Sequence, residues 1–147
     1  MKKKDKTLMM LIGDIHRQFG HKIRELEKRN GLGPCSGCIL HELSRTNELT
    51  QVELADRIHM RPSSISVALQ KMEQDGLIEK KTKNDDQRCS IVCITKKGIK
   101  LNDEMRNNVY SMNEYYTKKL TEEELNTMTE LIKKLSLILE EDENENI

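Results

Sequence analysis

Two neighbouring segments, Leu49-Thr50-Gln51-Val52-Glu53-Leu54-Ala55 and Pro62-Ser63-Ser64-Ile65-Ser66-Val67-Ala68-Leu69-Gln70-Lys71-Met72-Glu73-Gln74-Asp75-Gly76, decide how this chain folds. In the first, Thr50 and Glu53 have the T-x-x-E spacing of a capping box, in which the Thr oxygen accepts from the third helical amide and the Glu reaches back to the cap. The spacing predicts a short helix through Ile58. In the second, Pro62 suits a first helical turn, where its missing N–H costs nothing, and Gly76 is a natural stop, so a helix is predicted from Pro62 to Asp75. His59 to Arg61 form a tight turn between the two, which is the layout of a helix-turn-helix.

The Pro62 to Asp75 helix has two chemically different faces. Ile65, Ala68, Leu69 and Met72 make a core stripe. Ser63, Ser66, Val67 and Gln70 stand opposite, with Ser64 beside them and Arg61 just ahead. A face turned only to water would carry more Lys and Glu. Short hydroxyl side chains near a helix N-terminus permit close backbone approach, and Ser, Gln and Arg can donate to phosphates or read base edges in a major groove. The plainer alternative is that Ser63 and Ser64 only cap the helix.

Directly downstream, Leu77 to Lys83 and Arg88 to Thr95 alternate apolar and polar residues around Asn84, Asp85 and Asp86, the pattern of a β-hairpin. Lys80, Lys81, Lys83 and Arg88 cluster near its tip. Arg88 is suited to a narrow minor groove, with Asp86 holding its guanidinium, although a solvated basic loop is the simpler reading of such a cluster. Helix-turn-helix followed by hairpin is a winged-helix plan. Gly98 is expected to close that unit.

Outward from this centre the pattern is helical. Leu8, Leu11, Ile12, Ile15, Phe19, Ile23 and Leu26 recur three or four apart over residues 7–29, until Gly31, Gly33 and Pro34 break the helix. Ile39, Leu40 and Leu43 suggest a second, short helix ending near Arg45, followed by a polar turn. Ile99 to Leu120 read as a weakly apolar helix. A second capping box, Thr121 with Glu124, starts a last helix with Leu125, Met128, Leu131, Ile132, Leu135 and Ile138 facing inward, and Glu140 to Glu145 are expected to fray. The fold class is therefore mainly α with a small β-hairpin wing.

Composition agrees. The 147 residues suit one domain, and 3% aromatics with no Trp and one Phe leave Leu, Ile, Met and Val to build the core. Twenty-five basic residues cancel 25 acidic ones, but residues 1–29 carry net +5, residues 61–100 net +4 and residues 121–147 net −7. A neutral total thus says nothing against a nucleic-acid partner. No apolar run approaches the roughly 18 residues of a membrane span, and Leu8 to Ile12 are shorter than the apolar core of a signal peptide. The chain is expected to be soluble and cytoplasmic, without a membrane partner.

With these motifs in view, residues 8–140 resemble the MarR-type winged helix-turn-helix transcriptional regulators. Leu49 to Ala55 look like the family's L-T-x-x-E-L-A helix, and Pro62 to Gly76 with Leu77-Ile78 resemble its recognition helix ending in M-E-x-x-G-L-I. Asp86-Gln87-Arg88, followed by Ile94-Thr95-Lys96-Lys97-Gly98, is similar to the wing signature D-x-R with L-T-x-x-G, with Ile in place of Leu. The resemblance implies a single domain over 1–147, with dimerisation helices at 7–30 and 99–140 and a DNA-binding winged helix at 35–98. It implies a homodimer on a pseudo-palindromic double-stranded operator, a small-molecule or oxidant effector that alters operator affinity, and repression as the commoner outcome. The candidate DNA contacts are Thr50, Gln51, Arg61, Pro62, Ser63, Ser64, Ser66, Gln70, Lys81, Lys83, Asp86 and Arg88. The candidate effector residues are His16, Phe19, Cys35, Cys38 and His41.

Four cysteines without a secretion signal point to reduced thiols, a redox site or a metal site rather than a disulfide framework. Cys89 and Cys93 lie about 13 Å apart along a continuous strand, too far for two thiolates each about 2.3 Å from one metal. For Cys35 and Cys38 three readings stay open: packing as small hydrophobes, thiol sensing aided by a helix N-terminus, or a metal site with His41, His16 or His21. The reactive cysteine of oxidant-sensing family members, near the start of the first helix, has no counterpart here. Nor does the Ile99 to Leu120 helix carry a metal-binding histidine spacing. No metal site and no cofactor is therefore assigned.

Two other functional classes compete with a DNA-binding regulator. A thiol oxidoreductase using Cys35 and Cys38 would normally place that motif beside a βαβ unit, and no strand is predicted before Cys35. No Ser-His-Asp set, phosphate-binding glycine loop or paired carboxylate can be assembled either, so no enzyme is expected. A helical protein-interaction module is the third class, separable from a DNA binder by salt dependence.

Overall fold

The computed structural model describes residues 5–82 and 90–145, with side chains described through residue 142. Its elements follow in the order α1 (Leu8–Arg29), α2 (Ser36–Thr46), β1 (Glu48–Thr50), α3 (Gln51–Arg57), α4 (Pro62–Gln74), β2 (Ile78–Thr82), β3 (Ser90–Ile94), α5 (Lys96–Thr117) and α6 (Glu122–Glu145). Two compact units emerge, one ending at Val109 and one beginning at Tyr110.

In the first unit, the predicted helix boundaries follow local chemistry. Thr7 caps α1 by accepting from Met10 N, and Asn30 ends it. The α3 capping box is complete: Glu53 N donates to Thr50 Oγ1 at 3.2 Å, and Thr50 N donates to Glu53 Oε2 at 2.8 Å. His59, at φ 50°, makes the left-handed turn between α3 and α4, and Gly76, at φ 73°, ends α4. The core gathers Ile39, Leu40 and Leu43 of α2, Leu54 of α3, Ile65, Leu69 and Met72 of α4, and Ile78 and Val92 of the sheet, all fully buried.

Three expectations are corrected here. The polar turn after the second helix contains a strand: β1 pairs antiparallel with β3, Leu49 opposite Val92, giving a three-stranded sheet in the order β1-β3-β2. Three residues with one buried apolar side chain carry no readable alternation, so only the long-range pairing defines this strand. Gly98 does not close the wing unit. It is buried within α5, which begins at Lys96, and a Cβ there would lie 2.3 Å from Leu77 O. Glu140 to Glu145, expected to fray, continue α6.

The second unit comprises the end of α5 and all of α6. Here the capping box at Thr121 and Glu124 forms as predicted, with distances of 2.8 and 3.2 Å. The Tyr115 and Tyr116 rings meet edge to face at 5.1 Å, and Lys118 Nζ lies 4.4 Å from the Tyr115 ring centre. The apolar stripe of α6 does not point inward in the single chain: Met128, Leu131, Ile132 and Ile138 are exposed, Leu131 by 61%, while Leu125 and Leu135 are half-buried. In the first unit, α1 likewise exposes Leu8, Leu11, Ile15 and Phe19. Periodicity identifies a face that will be covered without saying by what.

Candidate nucleic-acid interface

Burial of Ile65, Leu69 and Met72 sets the rotation of α4 and so decides which side chains face out. Ser63, Ser64, Ser66 and Gln70 are exposed, with Pro62 and Arg61 at the N-terminal end. Arg61 is the N-cap residue but its side chain makes no capping bond. The residues at this end therefore present hydroxyl and guanidinium donors beside a helix N-terminus, a surface suited to anions.

The preceding helix, α3, places Thr50 and Gln51 at its N-terminal end. Thr50 Oγ1, beyond accepting from Glu53 N, lies 2.9 Å from Glu53 Oε2, so this hydroxyl is engaged in the cap. Gln51, the first residue of α3, is half-buried. On β2, Lys81 is exposed, whereas Lys80 is half-buried with its Nζ 3.9 Å from Glu73 Oε2 of α4. Lys83, Asp86 and Arg88, the other expected contacts, and Cys89 lie outside the described residues.

Of the expected effector residues, Cys35 and Cys38 lie close enough to interact electrostatically. A cleft of about 570 Å³ is lined by Gly33, Pro34, Cys35 and Ser36 on one side and by Met60, Ser63, Ser64, Val67, Ala68 and Lys71 on the other. Of the five expected effector residues it takes in Cys35 alone. His16 and Phe19 are exposed on α1, and Cys38 and His41 on α2. Among the described residues, no group of three or more His, Cys, Asp and Glu is arranged to hold a metal ion.

The surroundings of the thiols bear on the readings left open for them. Rather than being activated by the start of α2, Cys35 has its pKa raised, first by loss of hydration and then by Glu27, with Arg24 opposing. Cys38, although exposed overall, is raised by the same loss of hydration and then by Cys35, Glu27 and Glu42. After loss of hydration, a charge that acts on both thiols is that of Glu27, a residue that the sequence analysis missed. This α1 carboxylate is only 3% exposed, and its Oε1 accepts from Gly37 N at 2.9 Å, so it supplies the negative charge that the α2 N-terminus favours. Its signal was available: Glu27 falls four residues after Ile23, on the apolar stripe of α1, where a carboxylate needs a buried partner. On β3, Cys93 is half-buried with Sγ 3.9 Å from Glu48 Oε2 of β1.

The chain has recognisable relatives. Residues 37–90 match the model of the MarR family. Over 138 residues the chain is 27% identical to the HTH-type transcriptional regulator MhqR of Bacillus subtilis (strain 168), a match covering 93% of this chain and 94% of the relative. It is 26% identical over 134 residues to the HTH-type transcriptional repressor MdtR of the same organism, covering 90% and 86%. The structure superposes with a TM-score of 0.78 on a MarR family transcriptional regulator from Listeria monocytogenes solved with a 26mer DNA, at 24% identity and covering 94% of this chain and 92% of that one. That likeness establishes a common winged-helix fold. No helix among the described residues is long and apolar enough to cross a membrane.

Proposed function

We propose that this chain, whose residues 37–90 match the MarR family model, is a member of that family and a sequence-specific double-stranded DNA-binding transcriptional regulator. The observation that carries the reading is the outward face of α4. It is exposed, uncharged and rich in hydroxyls, with Arg61 at its N-terminal end. In the groove, α4 supplies base contacts through Ser66 and Gln70, while Arg61, Ser63, Ser64 and Lys81 meet phosphates. Lys83, Asp86 and Arg88 complete the wing contacts on sequence grounds, and the Thr50 cap with Gln51 and Pro62 holds the helix-turn-helix in shape against the backbone. The related repressor MdtR supports repression as the outcome.

The active species is a homodimer over a pseudo-palindromic operator. Its formation covers the apolar faces left exposed on α1 and α6, and each chain acts as one functional domain over 1–147. The protein works in the cytoplasm without catalysis, and a small effector adjusts its operator affinity. The related Listeria protein, solved with DNA, supports the choice of double-stranded DNA as partner.

A titration on the DNA upstream of its own gene, at two salt concentrations and with or without diamide or zinc, tests this reading. Specific binding that weakens steeply with salt is expected, because each phosphate contact releases counterions. Failure to bind either that DNA or random genomic fragments would favour a protein-interaction module instead.

A further inference from the structure

Between Arg61 and Lys71, α4 carries no charged residue. Its buried stripe turns Ser63, Val67 and Gln70 outward in one row, and Val67 is 71% exposed at the centre of that row. A β-branched residue is a modest helix former, and its methyl groups gain nothing from water. On a surface that meets DNA, the same methyl groups have a partner.

The chemistry of the row selects among base pairs. Guanine is read most often by the paired donors of Arg or Lys, and this row has neither. Arg61 precedes the helix, and Lys71 follows the row with its Nζ 3.0 Å from Asp75 Oδ2. Gln70 offers one donor and one acceptor on a single amide, the match for adenine N6 and N7. Val67 offers an apolar surface, the match for the thymine C5-methyl. Serine donates or accepts and expresses little preference. Side chains three apart on a helix have Cβ atoms about 5–6 Å apart, and bases along a strand are spaced by about 3.4 Å, so Val67 and Gln70 reach bases one or two steps apart.

We infer that α4 reads A·T pairs, Gln70 binding an adenine and Val67 covering the methyl group of a thymine within two base steps of it. This rests on the DNA-binding reading above. Both residues are exposed, so replacing them leaves the core intact.

The test selects duplexes from a random-sequence pool with the full-length wild-type protein and with its Val67→Ala and Gln70→Ala variants, each checked for an unchanged thermal midpoint. The wild-type motif is expected to hold a thymine and an adenine within two steps. Val67→Ala should relax the thymine position and Gln70→Ala the adenine position, the latter by about five- to a hundredfold in discrimination. Replacing that thymine by deoxyuridine, which lacks the methyl group, should weaken wild-type binding about fourfold and leave Val67→Ala unaffected. An enriched motif with G·C at the positions these variants alter, a motif neither variant changes, or indifference of the wild type to deoxyuridine would overturn the A·T reading while leaving DNA binding in place. Enrichment of no sequence at all would remove the DNA-binding reading and this inference with it.

Discussion

Gly98 and Leu77 meet backbone to backbone: a Cβ on Gly98 would lie 2.3 Å from the Leu77 carbonyl oxygen. Around this contact Thr95 Oγ1 donates to Gly76 O at 2.7 Å and accepts from Gly98 N at 3.1 Å, while Lys97 Nζ donates to Asp75 O at 2.7 Å. The C-terminal end of α4 is thereby held to the first turn of α5. The signature Thr95-Lys96-Lys97-Gly98 has a physical role as this clamp, and it sets the orientation of the helix proposed to enter the groove.

Gly98→Ala should therefore destabilise the fold although it adds only a methyl group. The methyl meets backbone rather than a movable side chain, so α5 or the Leu77 strand entry must shift, at a cost of about 1–3 kcal/mol. Thermal unfolding should report a lower midpoint, with weaker DNA binding from the displaced α4. An unchanged midpoint would mean that the contact relaxes freely.

The Glu27 carboxylate joins α1 to α2 by accepting from Gly37 N. Glu27→Ala removes a buried acceptor from a helix N-terminus and should cost about 1–3 kcal/mol in urea unfolding. Glu27→Gln keeps an acceptor without the charge and should cost less. Equal losses for the two would show that the carboxylate charge, which both variants remove, and not an acceptor or side-chain volume, is what matters at this site.

Cys35 and Cys38 both have pKa values raised from the usual thiol value of 9.0. A raised thiol pKa leaves less thiolate at any given pH, and thiolate is the reactive form. Alkylation by iodoacetamide at pH 7 should thus be slower in the folded protein than in urea, and its rate should go on rising with pH after that of the unfolded protein has levelled off. Faster labelling of the folded protein at neutral pH would instead restore a thiol-sensing role.

Arg61 is exposed and makes no capping bond, so Arg61→Ala should alter stability by no more than about 0.5 kcal/mol. If it meets a phosphate, the substitution should weaken binding to all sequences similarly and reduce the salt slope by about 1. A change confined to one base position would instead assign Arg61 to a base.

What the sequence revealed was local. Pro62, Gly76, the Thr50 and Glu53 pair, and the Ile65, Leu69 and Met72 stripe each act within a few residues, and they located α3, α4 and the outward face of α4. What it concealed depends on contacts between distant segments. β1 exists because Leu49 pairs with Val92, Gly98 is glycine because Leu77 lies against it, and Glu27 is buried because Gly37 N faces it. The helix-start argument for reactive thiols leaves out Glu27 for the same reason, since that charge at the α2 N-terminus comes from another helix.

Ser66→Glu tests the central claim most directly. Ser66 is exposed on α4, so a glutamate there is compatible with the fold, yet in a major groove it would set a negative charge against bases and phosphates. Equilibrium titration of both proteins on a fragment that the wild type binds specifically should show binding abolished in the variant, with an unchanged thermal midpoint. Undiminished affinity of Ser66→Glu would contradict the placement of α4 in the groove.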